Sequence, residues 1–310
     1  MTDRDGEVVT SSDGTRWIPE FRPCPVCCSH DARVLGARGG RAHRDGKGAE
    51  TAVVQCASCG LLYARPTLVP RSNPYDIHGA DEYFIAHDAS MKMRRGDELA
   101  TFAERVLGGK GTLLELGCGR GEFLTGVANR GWDVHGVEMT ADYARDAGAR
   151  GIDVECNTIE DCTALDRTYD VVLLPAILEH LYDPMACLRR VRAALRPGGL
   201  VFIEVPNEMS LAMHAANLYM RLRGRDWAIN LSPTFAPFHV VGFSPVSMRT
   251  AIERAGLSVR VIEVVRYDNA VPVAATWLDR LERAGWRRIQ ALGARIGMGD
   301  GITCWAERRP

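Results

Sequence analysis

The sequence predicts an α/β protein: a Rossmann-like, seven-stranded, mainly parallel sheet, with a small N-terminal cysteine module and an inserted lid. Three observations carry this. From Gly111 onward apolar strand-length runs alternate with helix-length segments, the signature of parallel strands joined by helical crossovers. Asp170 to Leu174 is apolar after its first residue, as expected of a central strand buried on both faces. Leu113-Leu114-Glu115-Leu116-Gly117-Cys118-Gly119-Arg120-Gly121 runs from a strand through three alternate glycines into a helix. Glycine permits the tight turn and close backbone approach that a ligand at a helix N-terminus needs.

Strand one is expected at Thr112 to Leu116, with a helix from Gly121 to Arg130. Strand two runs from Trp132 to Glu138. Thr140 is placed to cap a helix reaching Ala149, its hydroxyl accepting from free N–H groups. Ile152 to Glu155 forms a short third strand. Asp183-Pro184 reads as an N-cap followed by proline at the first helical position, and Met185, Leu188, Val191 and Leu195 make one apolar face. Pro197-Gly198-Gly199 stops that helix, and Leu200 to Val205 is the fifth strand. Pro206 to Val241 is long, rich in Met, Arg and aromatics, and follows the C-terminal end of a central strand, where open α/β sheets bind ligands. It reads as a lid with a helix around Leu211 to Arg223. Ser244-Pro245 opens a helix ending at Gly256, Leu257 to Val265 is strand six, Thr276 to Ile296 is helical, and Ile302 to Arg308 is the last strand.

The glycine pattern is E-x-G-x-G-x-G rather than the dinucleotide G-x-G-x-x-G, and the next strand ends on an acid, Glu138. Together with Tyr169-Asp170-Val171-Val172, Leu178-Glu179-His180-Leu181 and Leu195-Arg196-Pro197-Gly198-Gly199, taken in order, the chain resembles class I S-adenosylmethionine (SAM)-dependent methyltransferases of the small-molecule type. The resemblance implies SAM as cofactor. Gly117, Gly119 and Gly121, with Cys118 between them, would meet it with their backbone. Glu115 would support the loop or the methionine amino group, and Glu138, followed by Met139, would hold the ribose. Asn157, Thr158, Ile159 and Glu160 would border the adenine, and Pro175 and Ala176 would line the sulfonium end. It also implies that the last strand is antiparallel, at the hairpin edge of the sheet.

Methyl transfer needs an in-line nucleophile and, for a hydroxyl or amine, a base. His180 and His239 are the candidates, with His214 a weaker one. Tyr219, Trp227, Phe235 and Phe238 are read either as an apolar substrate wall or as packing for the lid. A methyltransferase acting on an oxygen, or on nitrogen or carbon, of a biosynthetic metabolite, sugar or natural product is the leading expectation. An RNA methyltransferase and a non-catalytic SAM-binding protein are the alternatives.

Ten cysteines divide into two groups. Cys24-Pro25-Val26-Cys27 and Cys56-Ala57-Ser58-Cys59-Gly60 are C-x-x-C pairs separated by 28 residues. Four thiolates suit tetrahedral zinc, and a site closed by four protein ligands is structural rather than catalytic. Cys28, His30 and His43 lie close enough in sequence to serve as alternative ligands. Thr51 to Gln55 reads as the strand feeding the second knuckle. The division along the chain is then a polar tail over 1–20, a zinc-ribbon-like module over 21–66, a helical connector and cofactor cover over 67–110, and the methyltransferase domain over 111–310. Trp17-Ile18 reads as a docking point in the tail, Tyr83-Phe84 lies in the connector, and a helix is expected from Ala89 to Leu107.

A net charge of −1 gives no general attraction to nucleic acid or anionic membrane. Arg33, Arg38, Arg41, Arg44 and Lys47 in the ribbon are interspersed with Asp31, Asp45 and Glu50, which disfavours an RNA grip. The absence of a long apolar run and the polar N-terminus predict a cytoplasmic protein without a membrane partner. The expected partner is a small-molecule acceptor, and a homodimer is left open.

Overall fold

The computed structural model describes residues 8–72, 89–267 and 277–309, with main chain only over 277–283. Tyr83-Phe84 lies outside the described residues. The N-terminal strands are β1 (Val9–Thr10), β2 (Arg16–Glu20), β3 (Ala32–Arg38), β4 (Thr51–Cys56), β5 (Leu62–Arg65) and β6 (Thr67–Pro70). Helix α1 (Ala89–Leu107) leads into the alternating region: β7 (Thr112–Leu116), α2 (Glu122–Ala128), β8 (Asp133–Glu138), α3 (Ala141–Ala149), β9 (Asp153–Cys156), β10 (Tyr169–Pro175), α4 (Pro184–Ala194) and β11 (Leu195–Pro206). The last part holds α5 (Leu211–Leu222), β12 (Val241–Gly242), α6 (Pro245–Arg254), β13 (Ser258–Val265), α7 (Trp277–Arg295) and β14 (Gly301–Glu307).

The main sheet has seven strands in the order β13-β14-β11-β10-β7-β8-β9. The five from β11 to β9 are parallel to their neighbours. Strand β14 is antiparallel to both β11 and β13. The final strand is therefore antiparallel as expected, but it lies inside the sheet with β13 outermost. Alternation across the pleat divides the core. Leu113, Val171, Leu173, Leu200 and Phe202 face one side with Leu99, Ala103 and Val127 of α1 and α2. Leu114, Leu116, Val172, Leu174 and Ile203 face the other with Leu188 and Val191 of α4 and Met248 and Ile252 of α6. Helices α1 and α2 approach backbone to backbone: a Cβ at Gly96 would lie 2.2 Å from the Phe123 carbonyl oxygen, and one at Gly126 would lie 2.0 Å from that of Met93.

Three local expectations are corrected. Residues 8–20 are not a tail: β1 and β2 form a three-stranded sheet with β6, and Trp17 is buried against Leu68, Ala49 and Phe238. Leu195 belongs to β11 rather than to the preceding helix, because its backbone turns extended at the end of α4 while its side chain stays in the same core. Thr140 makes no side-chain cap; its N–H donates instead to Glu138 Oε1 at 2.8 Å, so the carboxylate occupies that helix start.

The cysteine module is not a bead on a linker. Its sheet runs β12-β5-β4-β3, and β12 comes from the end of the lid, Val241 pairing with Tyr63. Cys24, Val26, Val54, Cys56 and Tyr63 share one core with Val240, Phe243, Leu178 and the α4 face. Thr234 Oγ1 donates to the Ala49 carbonyl at 2.7 Å, and Arg38 Nε donates to that of Leu231 at 2.9 Å. Ribbon and lid thus fold against each other.

Candidate functional site

The turn between β7 and α2 holds Gly117, Gly119 and Gly121 at φ 69°, 54° and 76°, the left-handed region that disfavours any side chain. Gly119 N–H donates to Glu138 Oε2 at 2.9 Å, so Glu138 ties the glycine turn to the start of α3. Its oxygens keep lone pairs for further donors. Glu115 is buried, and its Oε2 has no hydrogen-bond partner among the described residues. Burial drives its carboxyl well above the usual range, opposed by Lys92 and reinforced by Glu122 and Glu138. Lys92 stands on α1, so that helix brings a positive charge to bear on this buried group. Cys118 is buried with its thiol pushed up by the same desolvation, and Met139 is 40% exposed.

The segment holding Thr158, Ile159 and Glu160 follows β9. Asn157 N–H donates to the Glu138 carbonyl at 3.2 Å, which brings the two ends of β8 and β9 together. Arg190 of α4 clamps the segment: Nη1 donates to the carbonyls of Ile159 and Glu160 at 2.6 and 2.8 Å, and Nη2 to that of Cys162 at 2.6 Å. Nothing in the sequence singled Arg190 out among so many arginines.

Pro175 ends β10, and Ala176 follows at φ 54°, left-handed although it is not glycine, with its N–H on the Glu204 carbonyl at 2.8 Å. That sharp exit leads into a single 3-10 turn, Leu178–His180. Here His180 and His239 meet, ring centroids 4.9 Å apart in an edge-on arrangement. Glu179 joins them, and one ligand-type atom from each of the three lies within 4.8 Å of the others. Glu179 is buried, and among the described residues its carboxylate oxygens have no hydrogen-bond partner beyond the residue's own main-chain N–H. Burial raises its carboxyl to about 8, reinforced by Glu204 and Glu208. Burial also lowers His180 to about 4, against hydrogen bonding to the backbone of Phe238 and Pro237. His239 falls to about 3 by burial and by His180 beside it. Rings held so low are neutral near pH 7, and a Glu179 carboxyl raised to about 8 keeps its proton there for most of the time. The sequence reading passed over Glu179, although an acid inside the apolar Ile177 to Leu181 run was the available signal.

His214 is not part of this cluster; it sits on the exposed side of α5, donating from Nδ1 to the Ser210 carbonyl at 2.8 Å. Tyr219, Phe235 and Phe238 do not line a common wall. Tyr219 is 49% exposed, Phe235 packs against His43 and Arg38, and Phe238 joins Trp17 on the ribbon side.

Cys24, Cys27, Cys56 and Cys59 converge, all four sulfurs lying within 4.8 Å of one another. Cys24 and Cys59 Sγ are 3.5 Å apart, and Cys27 and Cys56 Sγ are 3.4 Å apart. Tetrahedral zinc with bonds of about 2.3 Å needs sulfurs roughly 3.8 Å apart, so the donor set fits. Each knuckle closes on itself, Cys28 N–H to the Cys24 carbonyl and Gly60 N–H to that of Cys56. Cys28, His30 and His43 stand outside the cluster.

The fold and the glycine turn are those of class I SAM-dependent methyltransferases. The methyltransferase-domain family matches residues 85–262, more than half of the chain, and the chain belongs to that family. A ubiquinone biosynthesis O-methyltransferase of Parvibaculum lavamentivorans is 29% identical over 170 residues, covering 53% of this chain and 64% of the relative. That of Marinobacter nauticus is 30% identical over 180 residues, covering 55% and 73%. The chain thus spans less than two thirds of the Parvibaculum protein. Among solved structures, the plantazolicin methyltransferase BpumL with SAH superposes with a TM-score of 0.51 at 14% identity, covering 77% of this chain and 92% of the other. A chain from the complex of the Haloferax volcanii Trm112 activator with a putative methyltransferase gives 0.53 at 16%, covering 76% and 96%. Both likenesses concern the fold alone. Among the described residues no helix is long and apolar enough to cross a membrane.

Proposed function

We propose that this protein transfers a methyl group from SAM to an oxygen of a small biosynthetic molecule. The observation that carries the reading is the left-handed glycine turn fastened by Gly119 N–H to Glu138 at the ends of adjacent parallel strands. Two features suit SAM in particular. The Glu115 Oε2, without a hydrogen-bond partner among the described residues, can accept from a donor such as the methionine ammonium, and Glu138 retains acceptor capacity for ribose hydroxyls. SAM supplies a methyl already activated on a sulfonium. The chain's part is to hold the acceptor in line, near Pro175 and Ala176, and to let its hydroxyl lose a proton beside Glu179, His180 and His239. Likeness to O-methyltransferases over half the chain supports oxygen as the acceptor atom.

The four-cysteine cluster is proposed to hold one structural zinc. The closed donor set leaves no open position for substrate, and its fold role is to fix the sheet that β12 completes.

Calorimetry with SAM and with its demethylated product tests the first reading: micromolar binding of both is expected, and no heat with either overturns it. Tritium transfer from labelled SAM into a metabolite extract and into bulk RNA then separates acceptors, with label confined to RNA counting against a small molecule.

A further inference from the structure

Glu179, His180 and His239 have the composition of a metal site as well as that of a proton relay. Two imidazoles and one carboxylate present ligand atoms within 4.8 Å of one another, and a small inward rotation of the side chains brings them to the separation of about 3.0–3.4 Å that ligands on bonds of about 2.1 Å require. The set comes from two places. Glu179 and His180 stand on the turn after β10, and His239 stands at the end of the lid. Their segments are fastened by Val240 N–H donating to the Glu179 carbonyl at 2.8 Å. His180 makes its hydrogen bond to the main chain at Pro237 and Phe238, the outer-shell arrangement that orients a ligating imidazole. Phe238, immediately before His239, is held left-handed at φ 63°, so the ring is aimed by a constrained backbone.

The buried carboxylate is the second, independent sign. Three acids lie close together here, and two have partners: Glu204 pairs with Arg95 at 3.2 Å, and Glu208 accepts from Asn230 at 2.8 Å. Glu179, 2% exposed, has no partner side chain among the described residues. A buried acid left so keeps its proton unless a cation meets it. Both rings beside it keep partial exposure.

We propose that Glu179, His180 and His239 bind a divalent first-row transition ion, and that the acceptor is a molecule with two adjacent oxygens that complete its coordination. Two nitrogens and one carboxylate favour manganese, iron, cobalt or zinc over magnesium, and three protein ligands leave adjacent positions open. A vicinal diol, a catechol or an α-hydroxy carbonyl has the bite to fill two of them. Ligation lowers the pKa of the hydroxyl, whose proton passes to bulk water. The new O–C bond forms as the C–S bond breaks, its electron pair staying on sulfur. The substrate class rests on the methyltransferase reading above; the metal site does not.

Manganese is the probe, because it prefers nitrogen and oxygen donors and leaves the four thiolates to zinc. Zinc-loaded protein titrated with Mn(II), followed by loss of the free-ion electron paramagnetic resonance signal, should bind one equivalent. Spin-echo modulation should show nitrogen coupling from two imidazoles. Glu179→Gln and His239→Ala should each weaken manganese binding at least tenfold while SAM affinity stays within about twofold. Wild-type protein that leaves manganese free, or binds it without nitrogen coupling, overturns the site. Manganese bound normally by a protein that takes no SAM would leave the site standing and remove the methyltransferase reading instead. Protection of the enzyme-bound ion's spectrum by catechol, and not by phenol, is expected; equal effects of both overturn the two-oxygen acceptor.

Discussion

Val240 N–H donates to the carbonyl of Glu179 at 2.8 Å, joining the end of the lid to the turn that follows the central strand. One residue on either side of this bond stand His239 and His180. The same lid segment then becomes β12 and pairs with β5 of the cysteine module. The cluster of Glu179, His180 and His239 is therefore held by three parts of the chain, with the cysteine module on the far side of β12.

A consequence concerns zinc. Metal analysis of freshly purified protein should find about one zinc per chain. Cys59→Ser, or removal of the ion by a strong chelator, should release β5 and with it the β12 end of the lid. Limited proteolysis should then cut within residues 206–241 much faster, while SAM still binds at the glycine turn. An unchanged cleavage pattern in metal-free protein would show that the sheet holds without its ion.

Glu138 is the next case. Its carboxylate accepts Gly119 N–H at 2.9 Å and Thr140 N–H at 2.8 Å, so it shapes the turn that it is proposed to share with the ribose. Loss of charge-assisted hydrogen bonds costs about 1.5–3 kcal/mol each. Glu138→Ala should weaken SAM binding roughly 10- to 100-fold by calorimetry, and Glu138→Gln should recover only part of it. Affinity unchanged in the alanine variant would mean that the ribose is held elsewhere.

Arg190 shows what pattern reading does not reach. The parallel sheet, the glycine turn, Glu138 and the paired cysteines are local signals, each written into a few consecutive residues, and the sheet topology and the four-sulfur cluster agree with them. Arg190 and Lys92 act across more than 20 residues of chain, and Glu179 through burial, which no local window contains. Arginine is too common here for one clamp to stand out. Thr140 and Leu195 depart from the local pattern for a related reason: a neighbouring carboxylate displaces the one, and the sheet's extent absorbs the other. Arg190→Ala should leave the Glu160 and Cys162 carbonyls unmet by protein, the Ile159 carbonyl with only the Cys162 thiol, and loosen residues 159–162. We expect a loss of about 2–3 kcal/mol in unfolding free energy and several-fold weaker binding of SAM, with adenosine weakened in proportion. Weaker SAM binding with adenosine unaffected would place the adenine away from this segment.

Glu104 provides a dependence on pH that belongs to the fold alone. Arg130 binds it through Nε at 3.0 Å and Nη2 at 2.7 Å, and Trp132 Nε1 donates to it at 2.9 Å, joining α1 to the chain between α2 and β8. Arg130 first, then Trp132, holds the Glu104 carboxyl down at about 2, below the ordinary 4.5. A carboxyl whose folded value lies below its unfolded value stabilises the native state at pH above 4.5, and that contribution is lost as the pH falls towards 2. The pair is partly exposed, so solvent and salt reduce its effect. Thermal melts at pH 6 and pH 3 should fall less steeply with acid in Glu104→Gln than in the wild type, the variant starting lower. Parallel acid dependence in the two proteins would show that Arg130 holds the neutral side chain equally well, and that other carboxylates carry the acid response.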